Sequence, residues 1–317
     1  MNTKTDLILG CTGQDGSFLC KSLLEKGHKI IGLSRKVNNK IHNHAKLGIE
    51  KEFEIEEGDV TNYKIIEKLI SKHQPDRVFN LAAQSSVGKS INEPIETTQG
   101  IVMGTLNLLE VSKELGYSGK IFFAGSSEIF GDTTTPAKID HQQNPLSPYA
   151  VAKQTSFNLV KFYRNTYKIK AATGILFNHE SHLRNENFVT QKIIKGAIRI
   201  KKKEIRKFKL GNINVIRDWG WAPEYIEAIQ LITDAEEIKD HIICSGNSKS
   251  LKEFIGKVFK IFDLDWQEYI EIDKSLFRPC DITQSYGDPL PIYQDLGWKA
   301  EKDFNYIVNQ LVSFTIK

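Results

Sequence analysis

Little in this sequence points toward a metal, a membrane or a nucleic acid. Its 317 residues hold only four cysteines, Cys11, Cys20, Cys244 and Cys280, with no CxxC spacing. That excludes a disulfide framework, fits reduced thiols in a cytoplasmic protein and leaves no metal site to expect. No apolar run approaches the roughly eighteen residues of a membrane-spanning helix, and the N-terminus Met1-Asn2-Thr3-Lys4-Thr5-Asp6 leads straight into a short apolar strand. Neither secretion nor insertion is indicated. Charge of one sign is also scarce in excess, with 43 Lys+Arg against 39 Asp+Glu for a net of +4. Such a small, dispersed surplus does not imply nucleic-acid binding, although it favours an anionic small ligand. Internal repeats and low-complexity linkers are missing too. What is present is a 40% hydrophobic content, sufficient for one large or two modest domains.

Short apolar runs alternate with amphipathic stretches. Leu7–Leu9, Lys29–Leu33, Phe53–Ile55, Arg77–Leu81, Lys120–Ala124 and Ala171–Phe177 read as strands, with helices near 15–26, 62–73, 97–116 and 148–167. This alternation predicts an α/β fold, a doubly wound parallel sheet of Rossmann type covered by helices on both faces. After Phe177 the pattern is less regular: a basic stretch at Lys201–Lys203, a helix at 223–236 and a strand at His241–Ser245. We therefore expect residues 1–177 to form a dinucleotide-binding domain to which 214–245 returns. Residues 178–213 and 246–317 would form a smaller α/β substrate-binding domain. Lys201–Lys203 reads as solvated surface.

The string Leu9-Gly10-Cys11-Thr12-Gly13-Gln14-Asp15-Gly16 follows the first strand and opens the first helix. Glycines there allow a tight turn and close approach of backbone to a pyrophosphate, whose charge the helix N-terminus favours. The second strand ends Ser34-Arg35-Lys36, two cations where a carboxylate would take the ribose 2′-hydroxyl of NAD. Arg35 and Lys36 thus favour the 2′-phosphate of NADP over a solvated-loop reading. Gly58-Asp59-Val60 and Leu81-Ala82-Ala83-Gln84 end the third and fourth strands, Asp59 placed for adenine and the alanines leaving room for the cofactor.

Gly125-Ser126-Ser127-Glu128 follows the fifth strand, and Tyr149 and Lys153 stand one helical turn apart on the next helix. Residues four apart share a helix face, so the lysine charge is expected to lower the phenol pKa toward neutrality and make Tyr149 a proton acceptor. Ser126 would bond the same substrate hydroxyl, and Glu128 would move a second proton. Taken singly, each has a bland reading: serines cap helices, glutamates are solvated, Tyr/Lys pairs pack. Their convergence on one sheet edge favours chemistry.

With these motifs in hand, the chain resembles the extended short-chain dehydrogenase/reductase family and, within it, the GDP-mannose 4,6-dehydratases. The resemblance covers nearly the whole sequence. It rests on Thr12-Gly13-Gln14-Asp15-Gly16-Ser17, Asn80-Leu81-Ala82-Ala83-Gln84-Ser85, Ser147-Pro148-Tyr149-Ala150-Val151-Ala152-Lys153, Gly174 through Ser181, Arg217-Asp218-Trp219-Gly220 and Phe277-Arg278-Pro279. It implies an NADP-dependent lyase with an internal redox cycle. Tyr149 takes the C4 hydroxyl proton as hydride passes to NADP, while Lys153 holds the phenolate and the nicotinamide ribose. Glu128 then takes the C5 proton and assists loss of the C6 hydroxyl before hydride returns to C6. Arg217 and Arg278 would bind the diphosphate of a GDP-sugar, Asn178 the phosphate or sugar, and Val189 and Lys192 the guanine, with Ser85 among the loop positions that choose the sugar. His179 would help to position the nicotinamide.

The sequence departs from that family in places. Ser126 stands where the dehydratases usually have threonine, which keeps the hydroxyl but frees its rotation. Its loop also resembles that of GDP-4-keto-6-deoxymannose reductases, so a reductase or epimerase reading stays open, as does another GDP-sugar such as a GDP-heptose. A catalytically silent dinucleotide sensor is disfavoured because both Tyr149 and Lys153 are present. Val37–Glu52 is shorter than the family's arginine-rich loop that bridges subunits, which favours a homodimer over a tetramer.

Overall fold

Leu7, Ile8 and Leu9 are all fully buried, although consecutive strand residues point to opposite faces of a sheet. A strand apolar on both faces needs cover on both, and the chain supplies it. The computed structural model describes residues 3–36 and 42–316. From the N-terminus come β1 (Thr5–Leu9), α1 (Gln14–Glu25), β2 (Lys29–Ser34), α2 (His42–Leu47), β3 (Glu54–Glu57), α3 (Tyr63–His73) and β4 (Arg77–Asn80). Then follow α4 (Val87–Asn92), α5 (Pro94–Thr98), α6 (Gly104–Glu114), β5 (Lys120–Ser126), α7 (Pro148–Tyr167) and β6 (Ala171–Leu176). Next are β7 (His179–Glu180), α8 (Val189–Lys201), β8 (Phe208–Leu210), β9 (Ile216–Asp218), β10 (Gly220–Trp221), α9 (Ala222–Asp234) and β11 (His241–Ile243). The chain closes with β12 (Ser248–Ser250), α10 (Leu251–Ile261), α11 (Trp266–Tyr269), β13 (Ile270–Ile272), α12 (Leu290–Leu296) and α13 (Phe304–Ile316).

Seven parallel strands form the main sheet in the order β11-β6-β5-β4-β1-β2-β3. This is the doubly wound Rossmann order with one strand added beyond β6. Ile8, Phe79 and Phe122 pack under α1 and α9 on one face; Leu7, Leu9, Val78 and Phe123 pack under α3, α6 and α7 on the other. A second core, including Ile193, Ile194, Phe254, Ile255, Ile307 and Leu311, joins α8, α10 and α13. No helix among the described residues is long and apolar enough to cross a membrane.

The helix expected over 97–116 forms, interrupted by a π-bulge. Gln99–Met103 forms a π-turn between α5 and α6, whose Ile101 carbonyl accepts from Thr105 Oγ1 at 2.8 Å and Ser156 Oγ at 3.3 Å. Two hydroxyls on one carbonyl compete with the regular helical ladder, and an inserted residue results.

A strap ties the end of the chain to the loop beyond β5. Asp132 Oδ1 accepts from the amides of Thr283 and Gln284 at 2.7 and 2.9 Å, and from Thr283 Oγ1 at 2.5 Å. Thr133 N donates to the Gln284 carbonyl at 3.1 Å, and Tyr286 N donates to Thr133 Oγ1 at 2.7 Å. These bonds hold residues 276–286 across the carboxyl edge of the sheet.

Candidate active site

Ligands in open parallel sheets bind beyond the carboxyl ends of the strands, where the chain order reverses. Here β1 and β4 straddle that reversal, and a cleft of about 490 Å³ opens above them. All four proposed catalytic residues, Ser126, Glu128, Tyr149 and Lys153, line it, as do Gly10, Gly13, Gln14, Asp15, Gly16, Leu81, Ala83 and His179. So do Ser85, Asn178, Val189, Lys192, Arg217 and Arg278. Thr12, Arg35, Lys36, Asp59, Val60 and Ala82 do not line it; they sit beside it, at or just past the carboxyl ends of β1, β2, β3 and β4.

The turn after β1 is built for close approach. Gly10 has φ +85°, and a Cβ there would stand 2.8 Å from the Ala82 backbone; one on Gly16 would stand 2.3 Å from the Gly10 carbonyl oxygen. Gly13 caps α1 with no side-chain acceptor, which leaves the helix N-terminus free to take an anion. Asp15, in the first turn of α1, meets His179: both carboxylate oxygens lie 3.0 Å from Nε2. Burial alone would raise the Asp15 pKa, but the charge and hydrogen bond of His179 outweigh it and bring it down to about 2. Burial likewise opposes the charge of His179, yet Asp15 holds its pKa above the ordinary value. The other ring nitrogen, Nδ1, is 2.7 Å from the Phe177 carbonyl, and Tyr225 stacks on the ring at 4.7 Å. Gly220 makes the room, since a Cβ on it would meet the Tyr225 ring at 2.2 Å. Both nitrogens of His179 are thus engaged, which fixes the ring in place. Gln14, from the same turn, accepts from Ser181 Oγ at 2.8 Å, so the Gln14-Asp15 and His179-Ser181 motifs are spatial partners.

The reactive quartet sits on β5 and α7. Ser147 caps α7 through the Ala150 amide, and Pro148 occupies its first turn. Ser126 ends β5 and accepts the Glu128 amide on Oγ at 3.3 Å, capping the tight turn Ser127–Phe130 that carries Glu128. Burial raises the Glu128 pKa against the pull of Arg217 and Arg278. The expected lowering of the Tyr149 pKa is not found. Burial pushes the phenol up to about 12, with the Ser126 hydroxyl pulling the other way. Burial also brings Lys153 down to about 7, and its Nζ donates to the Ala124 carbonyl at 2.6 Å while lying 5.7 Å from the centre of the Tyr149 ring. Desolvation is the largest cause of both shifts.

Arg217, buried on β9, and the exposed Arg278 each lie 3.8 Å from Asp281 Oδ1, which therefore bridges two cations the sequence placed 61 residues apart. Burial lowers the Arg217 pKa. Val189 and Lys192 open α8, Lys192 on its exposed side. Arg35 makes an exposed ion pair with Glu96 at 3.5 Å, and Asp59 turns its Oδ1 to the Thr61 amide at 2.8 Å. Sequence reasoning missed Asp281 and Arg184. Both line the cleft. Arg184 lies 3.6 Å from Glu180 and 3.7 Å over the Phe188 ring. Each stands within a few residues of a motif already singled out, Asp281 three after Arg278 and Arg184 five after His179, and that proximity was the available signal. Of the basic stretch, Lys201, Lys207 and Lys209 face Asp263, Glu271 and Asp273 at 3.7, 2.8 and 3.3 Å on the surface.

A second cavity, about 690 Å³, lies at the opposite, amino ends of the strands, lined by Lys4, Asp76, Arg77, Tyr117, Lys120 and Asp234 among others. None of the residues above reaches it.

The family model for GDP-mannose 4,6 dehydratase matches residues 7–311. GDP-mannose 4,6 dehydratase 1 of Arabidopsis thaliana is 38% identical over 320 residues, covering 98% of this chain and 89% of that protein. GDP-mannose 4,6-dehydratase of Vibrio cholerae is 34% identical over 353 residues, covering 99% and 94%. Among solved structures, dTDP-glucose 4,6-dehydratase from Bacillus anthracis in complex with NAD superposes with a TM-score of 0.87 at 18% identity, covering 99% of this chain and 97% of that one.

Proposed function

The chain belongs to the GDP-mannose 4,6-dehydratase family, and from that premise we propose that it converts GDP-mannose to GDP-4-keto-6-deoxymannose. The observation that carries the reading is Glu128 in the cleft, a carboxyl with its pKa raised by burial beside Ser126, Tyr149 and Lys153. A carboxyl in that state can both take and give a proton. The tight Gly10–Gly16 turn and the open end of α1 fit a dinucleotide diphosphate. A nicotinamide dinucleotide held there would supply hydride-acceptor and hydride-donor chemistry for C4 and C6.

The chain's own residues do the rest. Tyr149 accepts the C4 hydroxyl proton, and Ser126 orients that hydroxyl. The resulting 4-ketone acidifies C5–H; Glu128 takes that proton and hands it to the C6 hydroxyl, which leaves as water. A proton then returns to C5, balanced by the one that Tyr149 took from the C4 hydroxyl. The product is lighter than the substrate by one water. Lys153 holds the ribose and the phenolate. His179, with both nitrogens engaged, acts by holding Asp15 and presenting its ring to the nicotinamide side. Arg217 and Arg278 take the diphosphate, Asn178 the phosphate or sugar, and Val189 and Lys192 the guanine, with Ser85 among the loop positions that choose the sugar. On this reading residues 1–177 and 214–245 serve the dinucleotide, and 178–213 and 246–317 serve the nucleotide sugar, with Arg217 at the seam.

NADP is the proposed dinucleotide because β2 ends in Arg35-Lys36 without a carboxylate. A homodimer is the proposed assembly, checked by light scattering. The decisive experiment gives the protein GDP-mannose and a catalytic amount of NADP. Mass spectrometry should find a product short of one water with no net NADPH. Absence of that product, with stoichiometric NADPH consumption on the 4-keto sugar, would move the assignment to a reductase.

A further inference from the structure

The segment between β2 and β3 has no role in the reading above, yet it touches the dinucleotide turn twice. Asn43, half-buried on α2, donates from Nδ2 to the Thr12 carbonyl at 3.1 Å. Its neighbour His44 is fully buried, with Nε2 2.8 Å from the Cys11 carbonyl. A carbonyl only accepts, so Nε2 carries the proton. Nδ1 is buried without a partner, and the ring stands edge-on to Phe53 with centres 5.1 Å apart. An unpaired buried nitrogen costs free energy, so packing alone would be better served by an apolar side chain. The donor on the other side of the ring is what offsets that cost.

The Cys11 carbonyl also accepts from Ser17 Oγ at 3.2 Å, and Gly13 N donates to the Gly10 carbonyl at 3.1 Å, closing the turn. In a trans peptide the N–H points opposite to the carbonyl of the same unit. Holding the Cys11 carbonyl toward α2 therefore turns the Thr12 amide away from it, while the Gly13 amide closes the turn on Gly10. Neither Asn43 nor His44 lines the cleft. We propose that Asn43 and His44 are positioning residues that hold the Cys11–Thr12 turn in its diphosphate-binding form from the outside. The inference rests on the reading that this turn takes a nicotinamide dinucleotide. Because the diphosphate is common to NADP and NAD, the effect falls on both equally.

The test titrates NADPH and NADH by fluorescence, and GDP by calorimetry, against the full wild-type chain, His44→Phe, His44→Gln and Asn43→Ala. His44→Phe keeps the ring beside Phe53 and removes the donor; it should weaken both dinucleotides about tenfold, the scale of one buried hydrogen bond, and leave GDP within about twofold. His44→Gln returns an amide donor and should recover most of the loss. Asn43→Ala should weaken both dinucleotides by a smaller factor. Wild-type NADPH affinity in His44→Phe overturns the proposal, as does a parallel loss of GDP, an effect confined to NADPH, or a glutamine variant as weak as the phenylalanine one. If His44→Phe fails to fold, Asn43→Ala decides, and unchanged dinucleotide binding there overturns the proposal equally. A wild type that binds GDP but neither dinucleotide defeats the underlying reading of the turn instead.

Discussion

The two ends of the sheet both bury charge, and they treat it oppositely. At the amino end Arg77 is buried with Nε and Nη2 on Asp6 at 2.7 and 2.9 Å and Nη1 on Asp234 at 2.8 Å, while His28 closes on Asp6 at 2.7 Å. Those groups have spent their bonding capacity on each other. At the carboxyl end the buried Arg217 reaches Asp281 only at 3.8 Å, where the exposed Arg278 also meets it, Lys153 has a carbonyl in place of a carboxylate, and burial raises the pKa of Glu128. Buried charge left underpaired is costly to the fold and useful to a ligand. The two cavities are comparable, about 690 and 490 Å³, so volume does not distinguish the ends; unspent bonding does.

The sharpest way to break this contrast is Glu128→Gln. Turnover of GDP-mannose should fall by roughly 10²–10⁴, the usual worth of a positioned acid-base group, with the melting temperature not lowered. Oxidation at C4 can persist as transient reduced-nicotinamide fluorescence, and full dehydratase activity would defeat the role given to the residue. At the other end, Arg77→Met should do the converse. Removing one partner of a buried pair costs about 3–5 kcal/mol, read by denaturant unfolding, while kcat of the folded fraction is unchanged.

Lys153→Met sharpens the comparison with an intermediate effect. It should abolish turnover and stabilise the ligand-free protein by at least about 1 kcal/mol, roughly 2 °C in Tm. The sign follows from the lowered pKa: below about 7 the lysine is charged in both folded and unfolded states and the full desolvation cost falls on the fold. As pH rises the folded protein sheds that proton, and the gain from methionine should shrink toward the ordinary lysine pKa near 10.4. A gain that grows with pH would contradict this account.

The smallest effect concerns the well-paired group inside the site. With its pKa raised, His179 contributes stability that is complete below its ordinary value near 6.5 and lost as pH rises through its folded value. Asp15, lowered to about 2, contributes above its ordinary value and loses this only as pH falls through about 2. Asp15→Asn should therefore cost about 1 kcal/mol near pH 6, and the gap between the two proteins' unfolding curves should narrow as pH rises through the folded value of His179.

Much of the sheet was legible because its strands are continuous apolar runs, a pattern that only cover on both faces explains. Ser126 and Glu128 could be placed from their position at the carboxyl end of β5, and Tyr149 and Lys153 from their spacing of one turn on the next helix. Other features rest on contacts far apart in sequence. The π-turn at Gln99–Met103 depends on Ser156, 55 residues on, reaching back to Ile101. The stack of Tyr225 on His179 and the Asp281 bridge between Arg217 and Arg278 are likewise pairings that no local window contains. The Tyr149–Lys153 spacing was read correctly as a shared face, and the direction of the phenol shift was not, because burial depends on everything packed around α7. In α8 and α10 the lysines interleaved with Ile and Phe obscured a helical stripe that the second core makes plain.

The strap through Asp132 has a practical meaning for anyone wishing to change the sugar this cleft accepts. The loop that presents Glu128 and the tail that presents Arg278 and Asp281 are sewn together by the Asp132 and Thr133 bonds. They form one exchangeable module although 151 residues of chain separate them. A graft that imports either half alone brings half a seam with it; swapping residues 126–137 together with 276–288 keeps the stitches matched.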